Sequence, residues 1–346
     1  MTNQNQLKSS RVRIGIVGCA NIAERYMISA IKRVPSAELV CIASRDKKKA
    51  IEWSQRHGIQ AEESYESLLV RKDIDAVYIP LPPGLHHDWV VRAANAKKHI
   101  LCEKSLSTSL ASVKDMITSC KNNKVLLFEN FMCGYHPQQE KVISLVKANT
   151  IGDPFIFNSQ YGFPHLDKNS FRYNSSLGGS CLYETGSYPV FMSRKIFAVE
   201  PRAVTCTLTI DRKTDIDTEG SGLLEFPGDK IALIGFGFGK VYQNTYSLWG
   251  SKGLLTLRRA YTISPSVKPI VELLKNDMSQ DIVTSLDVPA ADHFELIFSD
   301  FCNTILAHDT KKGDAIFEQL RLQSQVLEAM RISAHEHRRV ELTELR

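Results

Sequence analysis

A short apolar run, Val12 to Val17, passes directly into Gly18-Cys19-Ala20-Asn21-Ile22-Ala23 and then into a helical pattern. Few features restrict a chain more. A buried strand, a glycine turn and a helix make the opening unit of a doubly wound parallel sheet. In such a turn the first glycine permits the tight bend. The second position must be small so that a phosphate can reach the backbone, and the third must be small so that helix and strand pack closely. Gly18, Ala20 and Ala23 hold those places. The helix that follows offers unpaired N–H groups and the positive end of its dipole to an anion. Gly18, Cys19, Ala20, Asn21 and Ile22 are therefore candidates for gripping a dinucleotide pyrophosphate. The alternative is an ordinary tight turn of an α/β sheet.

The rhythm after this turn supports the sheet. Apolar runs at residues 12–17, 38–43, 76–79, 100–102 and 125–128 alternate with amphipathic helical stretches near 22–34, 48–56, 87–95 and 110–121. Regular alternation implies parallel strands covered by helices on both faces. Beyond Phe131 the pattern changes. Pro227-Gly228-Asp229 and Gly250-Ser251-Lys252-Gly253 are turn chemistries between strand-like runs, as in antiparallel hairpins. Two closing helices follow, one carrying Phe294, Ile297, Phe298, Phe301 and Ile305 on a face, the other Ile316, Leu320, Leu327 and Met330. The expected fold class is α/β. A dinucleotide-binding domain spans residues 11–131, a flexible tail 1–10, and an α+β substrate-binding and oligomerisation domain with an open, mostly antiparallel sheet 132–346.

Composition removes several functions. The net charge of +5 is spread along the chain rather than gathered in a stripe, which argues against nucleic acid. No run approaches the ~20 apolar residues of a membrane span. The eight cysteines include no Cys-x-x-Cys pair, so neither zinc nor any other metal is expected, and a reducing compartment is. The polar residues 1–10 lack the apolar core of a signal peptide, which completes a cytoplasmic expectation.

The second apolar run ends at Ala43-Ser44-Arg45, with no carboxylate before Asp46. An acidic residue there would bind the ribose hydroxyls of NAD. Ser44 can instead donate a hydrogen bond, Arg45 can pair with a 2′-phosphate, and Lys47 and Lys48 add positive potential, so the cofactor expected is NADP(H). The competing reading is a solvated helix start. Leu81 and Pro82, in Pro80-Leu81-Pro82-Pro83-Gly84-Leu85-His86, end a strand on the edge where open parallel sheets bind ligands. His86 is placed either to touch the cofactor or to cap the next helix.

Lys104 follows the apolar run Ile100-Leu101-Cys102 and emerges on the same edge. An ammonium there can polarise a carbonyl and orient the cofactor, and Glu103 beside it can steer it. The bland alternative is a solvated pair on a loop. In Gly178-Gly179-Ser180-Cys181-Leu182-Tyr183-Glu184-Thr185-Gly186-Ser187-Tyr188 the paired glycines suit a close approach to a ligand. If the segment is helical from Leu182, Glu184 and Tyr188 share a face and can hold a substrate hydroxyl and pass it a proton. Otherwise Tyr188 is a half-buried core tyrosine. A neighbouring ammonium is expected to lower its pKa toward the working range.

These residues resemble the glucose–fructose oxidoreductase / inositol dehydrogenase superfamily over nearly the whole chain. Glu103-Lys104-Ser105 departs from the family's Glu-Lys-Pro at its proline, Pro83 replaces the usual Asn, and Glu184 stands where Asp is usual. One branch fits better. Gly18-Cys19-Ala20-Asn21-Ile22-Ala23, Glu129-Asn130-Phe131-Met132, Tyr161-Gly162-Phe163-Pro164, Phe171-Arg172-Tyr173, Tyr188-Pro189 and Trp249-Gly250-Ser251-Lys252-Gly253 are similar to NADPH-dependent sugar 3-ketoreductases acting on nucleotide-linked deoxyketosugars. The resemblance implies a Rossmann domain followed by a domain whose open sheet lies under the nicotinamide. It implies Lys104 and Tyr188 as the catalytic pair, with Tyr188 giving a proton to the carbonyl oxygen, and Tyr161, Arg172 and Glu184 at the substrate. It also implies a homo-oligomer, dimer or tetramer, paired through the broad sheet. Two further readings remain: an NADP-dependent dehydrogenase of a free sugar or trans-dihydrodiol, and a non-catalytic NADP-binding regulatory protein.

Overall fold

The structure, a computed structural model, describes residues 11–276 and 278–345. The tail expected over 1–10 lies outside them. The alternating half of the chain forms a parallel six-stranded sheet of β1 (Val12–Val17), β2 (Ala37–Ala43), β3 (Gln60–Glu62), β4 (Ala76–Ile79), β5 (His99–Cys102) and β6 (Leu127–Glu129), in the order β3-β2-β1-β4-β5-β6. β1 pairs with both β2 and β4, so the strand order reverses there. The carboxyl ends of β1 and β4 therefore splay into a crevice at the switch point. Helices α1 (Ile28–Arg33), α2 (Lys47–His57), α3 (Tyr65–Leu69), α4 (Pro83–Asn95) and α5 (Leu110–Asn123) connect these strands.

Three local features depart from the sequence reading. β3 has three residues, none with an aliphatic side chain larger than alanine, so no apolar run marks this edge strand. The helix expected over 22–34 contains a π-helical turn at Ala23–Met27 before α1. The helix expected from 87 opens at Pro83, because proline suits the first helical position. His86 consequently lies inside the first turns of α4 rather than at its cap.

After α6 (Pro137–Lys147) comes a nine-stranded sheet of β7 (Pro154–Phe163), β8 (Ala203–Asp211), β9 (Ile216–Glu225), β10 (Ile231–Phe238), β11 (Gln243–Gly250), β12 (Gly253–Arg258), β13 (Ile270–Asn276), β14 (Asp281–Leu286) and β15 (Val340–Glu341). Its order among the described residues is β14-β13-β12-β11-β7-β10-β9-β8-β15. β7 and β10 run parallel, because α7 (Ser187–Phe197) and the β8–β9 hairpin separate them in the chain; the other neighbours are antiparallel.

α9 (Thr310–Glu336) lies between the two sheets, and α8 (His293–Leu306) lies against the first. α8 packs on β1 and α1, with Phe301 edge-on to Phe128 at 5.2 Å. α9 packs on β8 and also on α5 and β6, and its Phe317 and Leu320 join the apolar cluster of Val113, Met116 and Ile117. Burial of these large side chains ties the sheets together. The other face of the second sheet is uncovered: inward Phe157, Ile234 and Leu248 alternate with outward Leu233 and Trp249, which are 40% and 55% exposed. No helix among the described residues is long and apolar enough to cross a membrane.

Candidate active site

At the end of β1, the Gly18 N–H donates to the Ala43 carbonyl at 3.0 Å, which locks the turn to β2. Gly18 has φ +122°, and a Cβ there would lie 2.8 Å from Leu81 Cδ2, so the position requires glycine. The Ala20 carbonyl accepts from Ala23 and Glu24 and opens the helix. Cys19, Ala20, Asn21 and Ile22 line a cavity of about 1000 Å³. Of the lysines after β2, it is Lys49 that reaches back, donating to the Cys19 carbonyl at 2.8 Å; Lys48 is exposed on the same helical turn. Ser44 is buried and its hydroxyl oxygen accepts from the Asp46 N–H, while Arg45 is exposed at the strand end. Asp46 caps α2 by accepting from the Lys49 N–H. The nearest carboxylate to the end of β2 is thus engaged by a helix N-terminus, where it is favoured.

The same cavity runs from this turn past Leu81 and Pro82 to Lys104 and on to Tyr161, Arg172, Glu184 and Tyr188 of the second sheet's layer. Lys104 Nζ donates to Glu184 Oε2 at 2.9 Å and to the Glu184 carbonyl at 3.0 Å, and it stands 4.9 Å from the centre of the Tyr188 ring. The Arg172 guanidinium holds the other carboxylate oxygen, with Nε at 2.8 Å and Nη2 at 2.5 Å. Burial pushes the Glu184 pKa up, but Arg172 and Lys104 more than offset it and hold the carboxyl at about 2. The side chain left open by the usual Asp-to-Glu difference is therefore a bridge between two cations. Glu184 sits in a π-helical turn, Leu182–Gly186, that feeds α7 and its Tyr188.

Four expectations are corrected. Glu103 does not steer Lys104: its Oε1 accepts from Tyr78 at 2.5 Å and Asn130 at 2.6 Å, and burial raises its pKa. His86 is fully buried and does not line the cavity; its ring bridges the carbonyls of Leu81 at 2.6 Å and of Ser105 and Leu106 at 3.1 and 3.2 Å. It ties the β4 loop to the β5 loop. Tyr188 is not acidified, because the ammonium faces its ring rather than its oxygen. Burial raises its pKa well above the usual value, and among the described residues its hydroxyl donates to Met132 Sδ at 4.0 Å. The paired glycines approach chain rather than ligand: a Cβ on Gly179 would lie 2.6 Å from the Arg172 carbonyl, and one on Gly178 2.7 Å from the Gly84 nitrogen. They dock the Arg172 segment against the start of α4.

The peptide bond between Lys104 and Ser105 is cis. Ser105, standing in for the family's proline, donates its hydroxyl to the Tyr183 carbonyl at 2.7 Å. Arg25, Tyr242 and His293 also line the cavity and were not marked from the sequence; they stand alone in loops or at helix starts, and no spacing flags them. Arg259, in the run Arg259-Ala260-Tyr261 that belongs to the family resemblance, lines it too, without having been given a role. Among the described residues no group of three His, Cys, Asp or Glu side chains could hold a metal ion.

The model of an oxidoreductase family with an NAD-binding Rossmann fold matches residues 12–131, and that of the GFO/IDH/MocA C-terminal domain matches 140–256. A dTDP-3,4-didehydro-2,6-dideoxy-alpha-D-glucose 3-reductase of Saccharopolyspora spinosa is 34% identical over 297 residues, covering 86% of this chain and 88% of its own. The structure of KijD10, a 3-ketoreductase from Actinomadura kijaniata in complex with NADP and TDP-benzene, superposes with a TM-score of 0.88 at 30% identity, over 94% of this chain and 98% of that one. A D-xylose 1-dehydrogenase (NADP(+)) of Haloferax volcanii is 34% identical over 254 residues, 73% of this chain and 77% of its own.

Proposed function

This chain belongs to the GFO/IDH/MocA oxidoreductase family, and on that premise we propose that it is an NADPH-dependent 3-ketoreductase reducing a ring ketone of a nucleotide-linked deoxyketosugar. The observation that carries the reading is the meeting of Lys104, from the loop after β5, and Tyr188, from α7, on one cavity with the Gly18 turn.

The first domain fits the cofactor. Gly18, Cys19, Ala20, Asn21 and Ile22 would hold the pyrophosphate, Leu81 and Pro82 the β4 edge, and Ser44, Arg45 and Lys48 the 2′-phosphate. The Asp46 carboxylate is engaged by the start of α2, and that of Glu62, beside the end of β2, by Arg71. When bound, NADPH supplies the hydride that the carbonyl carbon takes up.

The chain's own residues manage the oxygen. An ammonium has three donors. Two of Lys104's point at Glu184, which leaves the third for the substrate carbonyl. Tyr188 is neutral, so it brings the proton that the oxygen needs as the carbonyl becomes an alcohol. Burial disfavours its phenolate, so proton transfer must accompany the change at carbon, and the adjacent ammonium stabilises the charge that develops. Tyr161 forms a wall of the substrate space. Arg25 and Arg259 place two guanidinium groups on the cavity, which suits a diphosphate.

Lys104→Ala and Tyr188→Phe are each expected to lower kcat by about 10²–10⁴-fold while NADPH binding, read by fluorescence, persists. Wild-type turnover in either variant ends the reading. The second reading, oxidation of a free sugar, is favoured by the xylose dehydrogenase relative. The same pair of residues serves both directions. A free sugar carries no diphosphate for Arg25 and Arg259, so comparing xylose, a trans-dihydrodiol and a dTDP-linked 3-ketosugar separates the two.

Two copies would pair through the open sheet face. Adjacent strands place Val283, Leu274, Leu254, Trp249, Ile156 and Ile231 in one apolar row across that face. Such a row favours burial against a like surface. Trp249→Asp is expected to convert the oligomer to monomer in light scattering; an unchanged mass would exclude this face.

A further inference from the structure

We infer that Arg172 is a positioning residue for the reduction: it holds Glu184 so that the carboxylate aims Lys104, and it does not bind the substrate itself. The inference rests on the assignment of Lys104 and Tyr188 above and adds to it a residue that neither touches the reacting atoms nor belongs to the same element.

The geometry is a chain of three charges. Arg172 comes from a single 3-10 turn, Phe171–Tyr173, in the segment after β7. Its Nε and Nη2 both close on Glu184 Oε1. Glu184 Oε2 and its backbone carbonyl then take two donors of Lys104. Two N–H groups of one guanidinium on a single oxygen hold Oε1 in place, and Lys104 holds Oε2 and the backbone carbonyl. With Oε1 held from one side and Oε2 from the other, the carboxylate is fixed at both oxygens, and the two Lys104 bonds orient its third donor. The segment carrying Arg172 is itself fixed, because Gly178 and Gly179 pack against Gly84 and against the Phe171 and Arg172 carbonyls.

Charge gives a second role. The groups facing Glu184 are Lys104 and Glu103 after β5, Arg172, Tyr161 on β7, Tyr188 on α7 and, nearby, Cys181 and Asp217. Among them only Lys104 and Arg172 are cations. Two cations on one carboxylate leave one positive charge that Glu184 does not balance. Without Arg172 the carboxylate would pair with Lys104 alone and draw the ammonium away from the substrate. It would also lose the larger of the two charges that oppose its desolvation, so it would take up a proton at a higher pH.

The test is steady-state kinetics of Arg172→Met and Arg172→Lys with NADPH and a dTDP-linked 3-ketosugar, across pH. The expected result for Arg172→Met is a fall in kcat of about 10-fold or more, as small misplacements of a reacting group produce. KM for the sugar should change by less than about 3-fold, and the acid limb of kcat should move to higher pH. Arg172→Lys restores the charge but not the two-pronged hold, so it should restore the pH limb and only part of kcat. A loss carried by KM with kcat intact, or no loss at all, overturns the inference and returns Arg172 to the substrate. NADPH affinity of each variant reports that the fold persists. Failure of the underlying assignment is separate: it would appear as turnover in Lys104→Ala or Tyr188→Phe, whatever Arg172 does.

Discussion

The two walls of the cavity each bury a glutamate beside the same ammonium, and the two behave in opposite ways. On the first-sheet wall Glu103 meets neutral donors, the Tyr78 hydroxyl and the Asn130 amide, and its pKa rises. On the second-sheet wall Glu184 meets Lys104 and Arg172, and its carboxyl is held at about 2. Depth is similar, so depth does not set the charge; the partners do. Lys104 grows from the first wall, one residue after Glu103, yet it is held by the second. The site is thus assembled across the domains by an ion pair rather than within one loop.

The pair of isosteric changes Glu184→Gln and Glu103→Gln puts this contrast to measurement. Glu184→Gln removes the charge that two cations depend on, and kcat should fall by about 10²-fold. Glu103→Gln should change kcat by less than about 3-fold, because an amide oxygen can still accept from Tyr78 and Asn130. Equal effects on kcat would show that the two walls do not differ in the way described.

How much of this could be read beforehand depends on the range of the physics. The Gly18 turn was legible because its requirements are local: a positive φ, a small neighbour and a strand that ends there. Lys104 and Tyr188 stood out only as ends of regular elements. Their meeting depends on α9 joining the two sheets, and periodicity does not encode that contact. The turn chemistry gave the hairpins of the second sheet but not the parallel neighbours β7 and β10, which are separated by α7 and two strands. Adjacent residues misled most. Glu103 was the natural partner for Lys104 by proximity in sequence, whereas the actual partner lies 80 positions away. His86 in α4 and the glycines at 178 and 179 looked like ligand contacts because close backbone approach has one signature whether the neighbour is a ligand or another loop.

The smallest effect concerns a third carboxyl, on the first sheet but away from the cavity lining. Glu129 ends β6, accepts from the Leu106 N–H at 2.7 Å, and is pushed up to about 7 by burial. In the unfolded chain a glutamic acid titrates near ~4.3. Between those values the folded protein keeps a proton that the unfolded chain has lost, so stability falls as pH rises through this window and levels off above it. Glu129→Gln keeps an oxygen for Leu106 and carries no charge, so it should abolish this share of the slope. Buried histidines such as His86 and His99, held at about 4, act in the opposite sense below their unfolded value of about 6.5. The informative quantity is therefore the difference between variant and parent. Thermal unfolding at pH 5 and pH 8 should show Glu129→Gln gaining on the parent at pH 8 by a few degrees, with little difference at pH 5. A parent that gains on the variant as pH rises would mean that Glu129 is ionised and stabilising, as Glu184 is, and the contrast between the walls would not extend beyond Glu103.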